Sequence, residues 1–316
     1  MRLAVVGLGW MGMLHARTLS GLPDVTVIGV EVDPTAAAAA AHELGIEVVD
    51  TVAAALDRCD AVVVALPDHL HVDATITALA AAKPVLVEKP LATSSADGQR
   101  ILAADEAGRL MVGHVLRFDE RLRELKRRLD AGALGELRYV RIHRSNSVAS
   151  GERIGARASV LEFLGVHDLD LLLWLTGQDV TGVTANARRA FTDNWDVVTA
   201  GLTLSGGTLA QLENHWLIHR ASARGCLAGV ELFGDRGTAL VDLSTDELQL
   251  TTDDEPRTKF VDSRNWTHDP GVQGGSLRRQ DAAFLDAVRT GAPMPITGAD
   301  GLRAVRAVEL INAALE

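Results

Sequence analysis

The chain has 316 residues, a formal net charge of −11 and 47% hydrophobic residues. This length accommodates two domains of ordinary size, and the acidity argues against nucleic acids or membrane surfaces as partners, because both attract basic patches. The two cysteines, Cys59 and Cys226, lack the spacing of a zinc site and fit a reducing compartment. No apolar run approaches the ~20 residues of a membrane span, and no signal peptide precedes the first apolar run. We therefore expect a soluble, cytoplasmic protein.

Short apolar runs alternate with helical patterns through the first third of the chain. The predicted strands are 2–6, 25–31, 61–65, 85–88 and 110–114, and the predicted helices lie near 11–20, 34–44, 52–57, 69–81 and 95–107. Strands that alternate with helices predict a parallel sheet with right-handed crossovers. Continuous apolar strands are typical of a sheet that helices cover on both faces.

A glycine-rich turn joins the first predicted strand to the first predicted helix. Gly7 permits a tight turn, Gly9 lets the backbone approach a diphosphate, and Gly12 lets the helix pack close to the strand. Glu31 lies about 20 residues after the glycine turn, where a dinucleotide-binding motif carries the acid that binds the adenosine ribose hydroxyls. It would repel a 2′-phosphate, and residues 32–35 supply no Arg or Lys to bind one. This pattern predicts a Rossmann domain that binds NAD rather than NADP.

The pattern changes after about residue 118. A helix over 119–130 and a strand over 137–144 precede a polar loop from 145 to 159 and an apolar helix from about 161 to 175. Further predicted strands are 180–187, 197–204, 208–216, 227–234, 238–242 and 248–251, with hairpin turns at 206–207 and 235–237 and closing helices near 276–290 and 298–315. We expect two domains, residues 1–118 and 119–316, the second an α+β domain with a large, mostly antiparallel open sheet.

The open face of that second sheet is a candidate for association. An apolar sheet face that no helix covers is typical of an interface with a second copy of the chain. The alternative is that helices and loops of the same chain cover it. We expect association.

Two further motifs carry residues that are suited to catalysis. Glu88-Lys89-Pro90 ends a predicted strand, and ligands bind beyond the carboxyl ends of strands in open parallel sheets. In Gly165-Val166-His167-Asp168-Leu169-Asp170, His167 and Asp170 share a helix face, and an imidazole held by a carboxylate is a good general base near neutral pH. The alternative for Lys89 is an ordinary surface lysine. The alternative for the His167 motif is a first helical turn whose acids complement the helix dipole. We expect no metal site, because this face offers two ligands and catalytic zinc takes three from the protein.

Several motifs occur in a fixed order along nearly the whole chain. They are Gly7-x-Gly9-x-x-Gly12, Glu88-Lys89-Pro90, Val112-Gly113-His114 with Arg117-Phe118, Gly165-Val166-His167-x-x-Asp170, Glu231-Leu232-Phe233-Gly234 with Gly237, and 300–305. The set resembles the glucose–fructose oxidoreductase/inositol dehydrogenase/rhizopine-catabolism (Gfo/Idh/MocA) family. The resemblance implies a Rossmann domain followed by an α+β domain. It also implies oxidation of a secondary alcohol of a sugar or cyclitol, or reduction of the ketone, and homodimers or homotetramers through the open sheet.

The resemblance also suggests roles for individual residues. Lys89 matches the family's motif lysine, which would stabilise the substrate oxygen, and His167 matches its motif histidine, which would be the general base or acid. Phe163 stands where many members carry an aspartate. Either a local bulge brings Glu162 into that role, or the role is vacant. A vacant role implies activity that is weak, absent or differently organised, unless Asp170, which shares the helix face with His167, substitutes.

The predicted sites draw on residues from both halves of the chain. The cofactor candidates are Gly7, Gly9, Trp10, Met11, Gly12, Glu31, Leu66, Pro67, His71, Glu88, Lys89 and Arg117. The substrate candidates are Lys89, His167, Arg144, Asn146, Arg153 and His215. The alternative for His71 is a polar residue at a helix N-terminus. The alternative for residues 144–153 is a solvated loop, and the alternative for His215 is pairing with polar neighbours.

Two other functions remain open. The chain could be an NAD-binding regulator or scaffold with little or no turnover. It could also use bound NAD transiently to cleave a glycosidic bond without net redox change.

Overall fold

The structure, a computed structural model, describes residues 1–222, 225–244, 247–252, 256–260 and 275–315. It divides into two compact units. The first contains Met1–Phe118 together with residues 275–305, and the second contains residues from Asp119 to 260 together with 306–315. The predicted division, 1–118 and 119–316, did not group 275–305 with the first unit. Among the described residues, no helix combines the length and the hydrophobicity of a membrane span.

The strands and helices are numbered in chain order. The strands are β1 (Arg2–Val6), β2 (Thr26–Val30), β3 (Glu47–Val49), β4 (Ala61–Val64), β5 (Val85–Glu88), β6 (Leu110–Gly113), β7 (Leu137–Ser147), β8 (Val180–Arg188), β9 (Val197–Leu204), β10 (Leu209–Ile218), β11 (Cys226–Gly234), β12 (Gly237–Asp242), β13 (Glu247–Thr252) and β14 (Pro256–Phe260). The helices are α1 (Trp10–Ser20), α2 (Pro34–Leu44), α3 (Val52–Leu56), α4 (His71–Ala80), α5 (Ser95–Ala104), α6 (Glu120–Asp130), α7 (Val148–Ile154), α8 (Val166–Thr176), α9 (Ser276–Thr290) and α10 (Gly298–Ala313).

Six parallel strands form the sheet of the first unit, in the order β3-β2-β1-β4-β5-β6. Strands β4, β5 and β6 are buried along their whole length, which is typical of a sheet covered on both faces. α9 packs against α1 in the same unit. The predicted parallel sheet is therefore confirmed, and its carboxyl edge brings together the loops that follow β1, β2, β4 and β5.

Eight strands form the sheet of the second unit, in the order β14-β13-β12-β11-β7-β10-β9-β8. All neighbours are antiparallel except β7 and β10. One face buries Val140 and Ile142 of β7, and α8 packs against this strand. Alternate residues of β7 on the other face, such as Tyr139 and Arg141, are exposed or half-buried. The mostly antiparallel sheet is confirmed, and the two faces differ as expected.

Two local predictions in the second unit were correct only in part. The polar segment 145–159 is a loop only from residue 155 onward, because Ser145 and Ser147 continue β7 and residues 148–154 form α7. Ser147 caps α7 by accepting a hydrogen bond from the N–H of Ser150 at 3.3 Å. The helix predicted from 161 to 175 has two parts, since Leu161–Gly165 form a π-helical turn before α8 begins. Such a turn inserts one residue into the helical repeat.

Candidate active site

The glycine turn has the geometry of a dinucleotide site. Gly7 has φ 86°, a left-handed conformation that favours glycine. A Cβ at Gly12 would lie 1.7 Å from the carbonyl oxygen of Gly7, so only glycine lets α1 pack this close to the turn. A Cβ at Gly9 would meet no atom within 4 Å, and no side chain caps the N-terminus of α1 there. Open space and uncapped N–H groups fit a diphosphate.

Glu31 follows β2 and contacts the glycine turn. Its Oε2 accepts a hydrogen bond from the N–H of Leu8 at 2.9 Å, and its Oε1 accepts one from the N–H of Asp33 at 3.0 Å. Both bonds hold the carboxylate in one orientation. The residue that the spacing predicted as the ribose ligand therefore has a carboxylate held beside the glycine turn.

The other cofactor candidates of the first two loops differ in exposure. Trp10 is 54% exposed at the start of α1, whereas Met11 is half-buried and packs against the cluster of Leu14, Val115 and Leu277. The loop after β4 lies against the turn, because a Cβ at Gly7 would come within 3.0 Å of Leu66 Cδ2. Leu66 is half-buried, and Pro67, which follows it, is exposed.

Glu88 and Lys89 lie at the carboxyl end of β5. Glu88 is buried, and its Oε2 accepts a hydrogen bond from the backbone N–H of Lys89 at 3.3 Å. Its Oε1 lies 3.1 Å from Nε2 of His15, whose Nδ1 lies 2.9 Å from Oδ1 of Asp281. Sequence reasoning missed His15 and Asp281. The one available signal was a histidine among apolar residues of α1.

His71 is buried at the start of α4, and both of its ring nitrogens face backbone carbonyls. Nδ1 lies 2.8 Å from the oxygen of Pro90, and Nε2 lies 2.9 Å from the oxygen of Leu66. Burial lowers the pKa of His71, and the two carbonyls offset this effect only in part. His71 therefore braces the loops after β4 and β5, and a contact with the cofactor stays a prediction.

Arg117, another cofactor candidate, is buried and forms an ion pair. Its Nη1 lies 3.2 Å from Oδ1 of Asp300, whose Oδ2 accepts hydrogen bonds from the N–H and the hydroxyl of Thr297. Burial favours the neutral acid, but Arg117 and Thr297 outweigh it and keep the pKa of Asp300 below its ordinary value. Arg117 thus anchors the start of α10.

The second unit carries His167 near the start of α8, followed by a buried carboxylate. Asp168 accepts hydrogen bonds from Nε of Arg144 at 2.9 Å and from the side-chain amide of Asn214 at 2.8 Å. Burial raises the pKa of Asp168, an effect that Arg144 and Asn214 counter in part. Arg144, the last residue of the predicted strand 137–144, belongs to β7 and binds Asp168.

The acids proposed to orient His167 occupy different environments. Asp170 is buried within α8. Glu162 lies in the π-helical turn, which is the local bulge that the sequence left open. Its Oε2 accepts a hydrogen bond from the N–H of Ser159 at 2.7 Å, while Ser159 Oγ accepts one from the N–H of Glu162 at 3.3 Å. This reciprocal pair is a capping box, so the carboxylate of Glu162 already caps the turn.

The remaining substrate candidates are spread over the second unit. Asn146 belongs to β7, Arg153 belongs to α7, and neither lies in a loop. His215 Nδ1 accepts a hydrogen bond from the N–H of Leu217 at 3.1 Å, which leaves Nε2 to donate to Ser145 Oγ at 2.9 Å. Paired residues share a sheet face and neighbours alternate, so His215 and Arg144 lie on opposite faces of the sheet and do not share one site.

A cavity of about 400 Å³ lies on the His215 face of the second unit's sheet. Its polar lining includes His143, Ser145, Glu213, His215 and Glu231. His215 therefore lines a pocket, one of the two alternatives for this residue. Among the described residues, no group of three or more acidic, histidine or cysteine side chains could hold a metal ion.

Comparisons with known proteins cover both units. Residues 1–114 match the GFO/IDH/MocA oxidoreductase family with its NAD-binding Rossmann fold, and residues 122–240 match the GFO/IDH/MocA C-terminal domain. Inositol 2-dehydrogenase 1 of Saccharopolyspora erythraea is 35% identical over 73% of this chain and 67% of its own length. Inositol 2-dehydrogenase of Rhizobium meliloti is 28% identical over 96% of this chain and 93% of its own.

A solved structure agrees with the fold of the whole chain. UDP-N-acetylglucosamine 3-dehydrogenase GnnA from Acidithiobacillus ferrooxidans is 26% identical, with a TM-score of 0.84 over 100% of this chain and 98% of its own. The resemblance inferred from the ordered motifs is confirmed. The chain belongs to the GFO/IDH/MocA family of oxidoreductases and carries that family's NAD-binding Rossmann fold.

Proposed function

We propose that this chain is an NAD-dependent dehydrogenase that oxidises a secondary alcohol of a cyclitol, sugar or related polyol, or reduces the corresponding ketone. The observation that carries the proposal is the glycine turn with Glu31 fixed beside it, in a chain whose relatives are named inositol 2-dehydrogenase. One of these relatives matches nearly the full length of the chain.

The first unit supplies the cofactor residues of the proposal. The turn at Gly9 and the N-terminus of α1 would hold the diphosphate, and Glu31 would hold the adenosine ribose. When bound, the nicotinamide would supply the hydride chemistry. The fixed negative charge of Glu31 supports NAD over NADP, because it would repel a 2′-phosphate.

Lys89 and His167 are the catalytic residues of the proposal. In the oxidation direction, His167 takes the proton of the substrate hydroxyl and Lys89 donates a hydrogen bond to the same oxygen, which stabilises its developing negative charge. In the reduction direction, His167 returns the proton. Asp170 or Glu162 would orient the imidazole, and Asp170 is the better candidate because Glu162 already caps the π-helical turn.

A substrate screen tests the proposal. Inositols, sugars and sugar acids are incubated with NAD, and NADH is followed by absorbance. Replacing Lys89 or His167 with Ala should lower kcat by about 10²–10⁴-fold, the usual contribution of general acid–base groups. His42→Gln is the matched control, because His42 is exposed on α2. Full activity in both alanine variants would contradict the assigned roles.

An NAD-binding regulator of the same fold is the second candidate. Phe163 in place of an acid, together with the capping role of Glu162, supports it. NAD binding measured by calorimetry, without turnover of any polyol, would favour this function. Glycoside cleavage without accumulation of NADH would instead identify the transient use of NAD.

We also propose that the open sheet face of the second unit pairs with a second copy of the chain in a homodimer or homotetramer. On this face Tyr139, Leu209, Leu217 and Leu227 are 37%, 54%, 47% and 37% exposed. Large apolar side chains grouped on one face mark an association surface. Leu209→Asp should lower the mass measured by analytical ultracentrifugation, and a wild-type monomer would overturn the proposal.

A further inference from the structure

His15 connects three elements of the first unit. It lies on α1, the helix that begins at the glycine turn, and its side chain is completely buried. Nε2 lies 3.1 Å from Glu88 of β5, and Nδ1 lies 2.9 Å from Asp281 of α9. One imidazole therefore bridges two carboxylates that are distant in sequence.

Two ionised carboxylates beside the ring favour an imidazolium at His15. An ionised carboxylate only accepts hydrogen bonds, and a neutral imidazole has one N–H, so two bonds to carboxylates need both ring nitrogens protonated. Burial works to lower the pKa of His15, but Asp281 and Glu88 more than offset it and raise the pKa to about 10. Lys89 and His71 are the other titratable groups that act on Glu88. Burial also raises the pKa of Asp281, an effect that His15 counters in part. The two carboxylates together favour the charged form of His15.

The carboxylate of Glu88 connects His15 to the backbone of Lys89. One oxygen binds the imidazolium, and the other accepts the backbone N–H of Lys89 at 3.3 Å. Gly113 on the neighbouring strand makes room for this carboxylate, because a Cβ there would lie 2.9 Å from Glu88 Oε1. After Lys89, the carbonyl of Pro90 lies 2.8 Å from Nδ1 of His71. The backbone is thus held on both sides of Lys89.

We propose that His15 is a positioning residue that fixes Lys89 relative to the helix of the glycine turn. The proposal rests on the role of Lys89 in the proposed function. His15 touches neither substrate nor cofactor in this assignment. It acts through Glu88 and determines the position of the Lys89 ammonium relative to the glycine turn that would bind the diphosphate.

The protonation state of His15 is tested first, on the wild-type protein without cofactor. In ¹⁵N-histidine-labelled protein, one ring should keep both nitrogens protonated from pH 6 to pH 8.5, and its signals should vanish in His15→Gln. A His15 ring that titrates near pH 6.5, or that carries one proton at pH 7, overturns the proposal.

The coupling to Lys89 is tested with His15→Gln, with His42→Gln as the matched control. The glutamine is neutral, so Glu88 loses the cation at His15 and its charge acts more strongly on Lys89. The reaction of Lys89 with trinitrobenzenesulfonate is followed by peptide mapping, with Lys126 as the reference. The pH at which Lys89 becomes reactive should rise by about one unit. A displaced lysine should also lower kcat at least ~10-fold, while the KM for NAD changes little.

The outcomes separate positioning from simple packing. A folded His15→Gln protein with unchanged Lys89 reactivity and unchanged kcat overturns the proposal. If His15→Gln does not fold, Glu88→Gln tests the same relay, and it should alter the pH dependence of Lys89 modification. If the wild type turns over no polyol, the proposed function fails, while ring protonation and lysine reactivity still decide the role of His15.

Discussion

The backbone N–H of Leu8 in the glycine turn donates a 2.9 Å hydrogen bond to Oε2 of Glu31. This bond joins the two parts of the nucleotide motif, the turn after β1 and the acid after β2. The other carboxylate oxygen accepts the N–H of Asp33 at 3.0 Å. The carboxylate that we propose discriminates between ribose hydroxyls and a 2′-phosphate is therefore already oriented by the fold.

Glu31→Gln should weaken the preference for NAD. The amide keeps the shape of the side chain but loses the charge that repels a 2′-phosphate, so the NAD/NADP ratio of kcat/KM should fall by about 10-fold, or ~1.4 kcal/mol. Dissociation constants of both dinucleotides, measured by calorimetry, check this without turnover. Glu43→Gln removes the same charge from an exposed site on α2 and should leave the ratio unchanged. An unaltered ratio in Glu31→Gln would mean that other residues select the cofactor.

Gly12→Ala and Gly9→Ala should separate folding from binding. The Cβ at residue 12 would collide with the Gly7 oxygen at 1.7 Å, so α1 must move away from the turn, and both the melting temperature and NAD affinity should fall. The Cβ at residue 9 meets no atom within 4 Å, so the protein should stay as stable as wild type and lose NAD binding alone. Thermal unfolding and calorimetry measure the two effects. Tight NAD binding by Gly9→Ala would show that the diphosphate lies elsewhere.

The fold was largely predictable where hydrophobic pattern and turn chemistry agree. β5 and α2 begin and end where the sequence predicted, because a continuous apolar run and a Pro-started alanine helix are strong local signals. β3 has three residues and β14 begins with Pro256, so both were too short or too polar to recognise. α7 was missed because its polar residues resemble a loop.

The site was less predictable because its partners are distant in sequence. Spacing alone pointed to Asp170 on the His167 face, and the ion pair of Asp168 with Arg144 depends on how α8 packs against β7. The π-helical turn before α8 cannot be read from a regular helical repeat. His15 and Asp281 are 266 residues apart, a separation across which no local pattern operates.

Asp168→Asn should destabilise the second unit strongly. The substitution leaves the buried guanidinium of Arg144 without a counter-charge, and breaking a buried ion pair from one side costs about 3–5 kcal/mol. Denaturant titration followed by circular dichroism measures the loss. Glu152→Gln, which breaks an exposed pair with Arg220, is the control and should cause no measurable loss. Equal stability of the two variants would show that the Arg144–Asp168 pair contributes little.

The stability of the segment before β9 should depend on pH through Asp196. Oδ2 of this buried carboxylate accepts backbone N–H groups from Ala190, Phe191 and Thr192 at 2.6, 2.9 and 3.1 Å. Burial favours the neutral acid, but these bonds outweigh it and keep the pKa of Asp196 below its ordinary value. A carboxylate whose pKa is depressed in the folded state stabilises it above the unfolded value of about 3.9. That stabilisation disappears as the pH falls through the folded pKa.

The difference in unfolding free energy between wild type and Asp196→Asn should therefore be largest near pH 7 and shrink below about pH 4. An asparagine can offer one acceptor oxygen to the three N–H groups, but it lacks the negative charge. Its NH₂ group also cannot accept the hydrogen bond that Thr192 Oγ donates to Oδ1 at 2.8 Å. Denaturant titrations at pH 7, 5, 4 and 3 measure the difference. Asp193→Asn, at an exposed position in the same segment, should show no such pH dependence. A gap of constant size from pH 7 to pH 3 would mean that the ionised form of Asp196 is not what stabilises this turn.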